Sequence, residues 1–81
     1  MKYNKLYSIN LVAFLYLMTG ELPLLEGDAA TKQTYFLVED TQKNSLLIQI
    51  YRNNRVSVDL KGYLAAYRHI RQLMREYGKK E

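Results

Sequence analysis

His69 is the only imidazole in the chain, and it lies between Arg68 and Arg71 with no carboxylate nearby in sequence to orient it. A general base needs such an orienting partner, so His69 reads as a partly exposed helix residue, not a catalytic one. The carboxylates Glu39, Asp40, Asp59 and Glu76 have no ligand spacing that would suit a metal. Gly20, Gly27, Gly62 and Gly78 form neither a phosphate-binding loop nor a dinucleotide fingerprint. Without cysteine, thiolate nucleophiles, disulfides and Cys-ligated zinc or iron–sulfur centres are excluded. The expectation is a protein without catalysis, cofactor or metal, one that acts by binding.

Two groups of residues carry binding chemistry. Lys61, Arg68, Arg71, Arg75 and Lys79 are separated by 7, 3, 4 and 4 positions, so on a helix they line one stripe. Only Glu76 offsets them, and a basic stripe of this kind suits phosphate backbones or an acidic protein groove. A solvated helix face is the plain alternative. The second group is a sheet face predicted to hold Tyr35, Leu37, Leu47, Gln49 and Tyr51. Tyr35 and Tyr51 could stack bases, flanked by Lys43, Arg52 and Arg55, as in single-strand readers. The greasy area of Leu37 and Leu47 favours a homodimer interface of Tyr35, Leu37, Leu47 and Tyr51 instead.

The elements that must hold these residues follow from periodicity. Ser8 is an N-cap, and Ile9–Met18 reads as a short, largely buried helix closed by Gly20. Residues 19–33 read as a loop pinned to the core by Leu22, Leu24 and Leu25. Thr34–Asp40 and Leu46–Arg52 are predicted strands of an antiparallel hairpin, and residues 55–58 a short third strand after the turn pair Asn53–Asn54. Period-2 alternation places Phe36, Val38, Leu46, Ile48, Ile50, Val56 and Val58 on the inner sheet face. Asp59 caps a long last helix. Its apolar positions Leu60, Tyr63, Leu64, Tyr67, Ile70, Met74 and Tyr77 recur every three or four residues, and Gly78 closes it. The fold class is α+β: a short N-terminal helix, a two- or three-stranded antiparallel sheet and a long C-terminal helix, in the order α-β-β-(β)-α, all within one small domain spanning residues 1–81.

Composition agrees with an ordinary soluble domain, 48% hydrophobic and 25% charged, and excludes a disordered tail. The net charge of +4 is uneven. Residues 1–40 hold three lysines against five acidic residues, a net −2, while residues 41–81 hold nine basic residues against three acidic ones, a net +6. This asymmetry points to a polyanion or an acidic partner surface. Lys2 and Lys5 precede the apolar stretch Leu11–Met18, as in a signal peptide, but Asn10 breaks into the apolar stretch, Glu21 follows closely on Met18, and Asp28 would occupy the −3 position of a cleavage site after Ala30. The run also falls well short of the roughly 20 residues that span a bilayer.

With the elements placed, three stretches carry a family resemblance: YSINLVAFLYLMTG (7–20), YFLVED (35–40) and VSVDLKGYLAAYRHIRQLM (56–74). Over residues 7–75 the chain resembles small proteins of unknown function encoded by Firmicutes phages and mobile elements. The resemblance implies an accessory protein in the cytoplasm of a bacterial host cell, and it brings no activity or functional residues with it. Three functions remain open: nucleic-acid binding through the basic helix, inhibition of a host protein such as a defence enzyme, and sequestration of an anionic signalling nucleotide.

Overall fold

The computed structural model describes residues 2–28, 30–31, 33–53 and 56–79. Its elements run β1 (Tyr3–Leu6), α1 (Ile9–Thr19), β2 (Leu24–Gly27), β3 (Thr34–Glu39), α2 (Gln42–Arg52) and α3 (Leu60–Lys79). β3 is the middle strand of a three-stranded sheet and pairs antiparallel with β1 on one side and β2 on the other. In register, Lys5 and Leu24 flank Leu37, while Glu26 stands opposite Tyr35. The class is α+β, with an antiparallel sheet, an early helix and a long last helix, as expected.

Local chemistry explains each boundary. Ser8 Oγ accepts the backbone N–H of Leu11 and starts α1. Gly20, at φ 73° in the left-handed region, ends the helix by donating its N–H to the carbonyl of Tyr16. Asp59 Oδ2 accepts the N–H of Gly62 at 2.8 Å and opens α3. A Cβ on Gly62 would stand 3.2 Å from that same Asp59 Oδ2 and in ordinary contact, at 3.4 Å, with Leu17 Cδ1 of α1. Gly78, expected to close α3, is still helical.

The sheet differs from expectation in its membership. The predicted second strand, Leu46–Arg52, is the body of helix α2. Asn44, Leu47, Ile48 and Tyr51 fall at i, i+3, i+4 and i+7, and that face turns inward. Leu46 and Ile50, placed by alternation on the inner sheet face, are exposed (52% and 42%) on the helix surface. Thr41 Oγ1 caps the helix by accepting the N–H of Asn44. The predicted third strand is not one: residues 56–58 are irregular, although Val56 and Val58 still pack against the core, and Arg55 lies outside the described residues. The strands flanking β3 come from the N-terminal segment and from the predicted loop. Of the three leucines expected to pin that loop, Leu25 packs on the core, whereas Leu22 and Leu24 are half-exposed.

All three helices lie on one face of the sheet. Leu6 and Phe36 from the strands join Leu11, Val12, Phe14 and Leu15 of α1, Ile48 of α2 and Ile70 of α3 in one buried cluster. The order of burial along α1, five consecutive residues from Leu11 to Leu15, marks it as the central helix, with α2 and α3 packed against it. Among the described residues, no helix is long and apolar enough to cross a membrane.

Candidate functional site

α3 is two-sided. Ala66 and Ile70 are buried, and Tyr63, Tyr67, Leu73 and Met74 pack beside them. At about 100° per residue, Lys61, Arg68, Arg71 and Arg75 gather within about 80° of arc on the opposite side, and all four are exposed. A shallow groove runs between these side chains, lined by Leu64, Tyr67, Arg68, Arg71, Gln72, Arg75 and Glu76. Glu76 accepts from the Gln72 amide at 3.4 Å. Among the described residues, no carboxylate forms an ion pair with the four cations. Among the described residues, their charge is left unneutralised. Arg71 lies near the Tyr67 ring, 6.0 Å from its centroid. Lys79 falls on the same stripe by sequence, but its side chain lies outside the described part of the structure.

Leu60 and Leu64, predicted as core, belong to this exposed side, with Leu60 69% and Leu64 40% exposed. Arg52 does not join the stripe. It stands at the end of α2 beside β1, in a cleft with Asn4, Leu6, Ile48 and Gln49. His69, also exposed, meets Tyr16 edge-on at 5.1 Å, with the phenol oxygen 3.3 Å from Nδ1. Tyr63 donates its hydroxyl to the carbonyl of Asn10, and its phenol pKa is raised, first by burial and then by Tyr51 and Tyr67. Among the described residues, no three His, Asp or Glu side chains group closely enough to hold a metal ion.

The five residues assigned to a common sheet face are divided between two elements, with Leu47, Gln49 and Tyr51 on α2. Tyr35 and Leu37 do occupy the outer face of the sheet, away from the helices. Leu47 and Tyr51 sit on α2, where both pack on the core and Tyr51 meets Phe14 at 5.6 Å between ring centroids. Sequence reading missed the true neighbours of Tyr35. These are Tyr7, 5.9 Å away between centroids, and Lys5, whose Nζ lies 4.5 Å over the Tyr35 ring. The signal was available: Tyr3, Lys5 and Tyr7 alternate with Asn4 and the buried Leu6, as an edge strand does.

Fold and surface together define a small α+β domain that carries a cationic helix face. The chain belongs to the family described as Domain of unknown function (DUF5659), whose model covers residues 1–77. Neither a curated protein nor a solved structure matches it.

Proposed function

We propose that this chain is a non-enzymatic accessory protein of a Firmicutes phage or mobile element that binds nucleic acid through α3. The observation that carries the reading is the row Lys61, Arg68, Arg71 and Arg75, exposed and without carboxylate partners among the described residues. An unpaired cationic row attracts a phosphate backbone and releases its counterions on contact, which gives affinity without base readout. Stretches 7–20, 35–40 and 56–74 supply the phage and mobile-element resemblance, and with it the bacterial cytoplasm as the place of action. Mobility shifts with duplex DNA and with RNA at about 50 mM salt test the reading. Binding that weakens on Arg68→Ala or Arg71→Ala supports it, and no shift with either nucleic acid at low salt removes it.

A second reading rests on Leu60 and Leu64, which stand exposed beside the same cations. Apolar side chains amid basic ones suit an acidic protein groove, such as the surface of a host defence enzyme. Recovery of a host protein after nuclease treatment, lost on Leu64→Asp, would favour this over nucleic acid.

A further inference from the structure

Among the described residues, no helix packs on the outer face of the sheet: α1, α2 and α3 contribute to the buried cluster on the side of Leu6 and Phe36. Strand alternation puts Tyr35 and Leu37 of β3 at its centre, Lys5 of β1 on one flank, and Leu24 and Glu26 of β2 on the other. Tyr7 continues the aromatic surface past the end of β1. Leu24 is 53% and Tyr7 50% exposed, an apolar surface of a kind that soluble monomers seldom leave open. Its charges decide what fits it. They are not of one sign, and Glu26 and Glu39 on this face oppose a phosphate backbone. They are also segregated, with the cation on the β1 side and a carboxylate on the β2 side.

On its two flanks that arrangement is complementary to its own image, while Glu39, at the end of the central strand, meets its own copy. Because β3 lies between β1 and β2, a two-fold axis parallel to β3 stacks two such sheets with β3 over β3 and β1 over β2. Lys5 leans along the sheet until its Nζ is over the Tyr35 ring, and Tyr35 is the register partner of Glu26. The ammonium and Glu26 therefore share one level along the strands, the first over Tyr35 of the central strand and the second on the β2 flank. We propose that a second copy of this chain docks on the outer sheet face about this axis, with Leu37 and Tyr35 at the centre and Lys5 of each protomer against Glu26 of the other. α3 lies on the far side of each sheet, so the dimer leaves both cationic faces free, and the two readings stand or fall separately.

Sedimentation or light scattering of the full chain tests this. The expected particle has twice the 9.6 kDa chain mass. Leu37→Lys should return it to the chain mass with its helical circular dichroism intact, and Leu24→Lys, at a half-exposed edge position, provides the same test should Leu37→Lys fail to fold. Lys5→Glu and Glu26→Lys should each weaken the dimer about tenfold or more by setting like charges together, and combining the two should restore it. A wild-type particle of single-chain mass overturns the proposal. So does a dimer that survives both Leu37→Lys and Leu24→Lys. A dimer indifferent to the single reversals, or not restored by the pair, rejects this axis and with it the proposed assembly.

Discussion

The hydroxyl of Tyr63 donates to the backbone carbonyl of Asn10 at 3.1 Å, fastening α3 to the first turn of α1 across 53 positions of sequence. The bond lies at the main helix–helix contact of the molecule, where Tyr63 and Tyr67 stand 6.3 Å apart between ring centroids. Tyr63→Phe keeps the ring and removes only the donor. Unfolding free energy in urea should fall by about 1 kcal/mol, the usual net value of a hydrogen bond of this kind. An unchanged midpoint would mean that solvent replaces the bond without loss.

The same phenol makes stability depend on alkaline pH. Burial, followed by the neighbouring Tyr51 and Tyr67, raises the Tyr63 pKa above its ordinary value. The folded chain thus keeps this proton after the unfolded chain has released its own. Stability from this group is complete below pH about 10 and is lost as pH rises through the folded value. Thermal melts of the wild type and Tyr63→Phe should converge as pH climbs past this point. Parallel curves would assign the alkaline loss to other groups.

How far the chain could be read in advance depended on how local each signal was. Ser8, Gly20 and Asp59 act on backbone groups within four residues of themselves, and all three mark the ends they were expected to mark. Thr34–Glu39 is central in its sheet and apolar enough to announce itself. α2 was hidden because NSLLIQIYR (44–52) satisfies both periods: alternation selects Leu46, Ile48 and Ile50, while helical spacing selects Asn44, Leu47, Ile48 and Tyr51. Tertiary packing chose the second set, and the polar Asn44 disguised it. β1 and β2 have four residues each, and as edge strands they depend on β3 for their hydrogen bonds. The cationic stripe of α3 was legible because a helix fixes its faces without outside help, whereas a sheet face required knowing which strands were neighbours.

Asn44 joins β3 to α2 from a buried position. Its amide donates to the carbonyl of Glu39 at 2.9 Å, while its own N–H is held by Thr41 Oγ1 at 3.1 Å. Thr41→Ala should cost about 1 kcal/mol as a lost N-cap. Asn44→Leu should cost about 1–3 kcal/mol by removing a buried partner. Both side chains secure the same turn, so denaturant melts of the double variant should show less than the sum of the two losses. Strict additivity would mean that the two bonds hold separate structures.

Two glycines of α1 and α3 should respond in opposite directions to alanine. Gly20 is in the left-handed region at φ 73°, where a Cβ is strained whatever the space around it. Gly20→Ala should therefore destabilise by about 1 kcal/mol. Gly78 is helical, with nothing within 4 Å of an added Cβ. Gly78→Ala should stabilise the last turn by up to about 1 kcal/mol through helix propensity. Calorimetric melting temperatures that move in the same direction for both would contradict the backbone account.

If α3 meets phosphates, the number of its contacts is measurable from salt alone. Each lost phosphate contact on duplex DNA should flatten the slope of log affinity against log salt by about 0.9. Arg68→Ala, Arg71→Ala and Arg75→Ala should each produce about that change, and the triple variant nearly the sum, because each removes one cation of the exposed row. Arg52→Ala, at the end of α2 beside β1, should leave the slope unchanged. None of the α3 substitutions should move stability by more than about 0.5 kcal/mol, since they face away from Ala66 and Ile70. A salt slope that responds equally to Arg52 and to the α3 arginines would mean attraction by net charge alone and would remove the helix as a defined binding face.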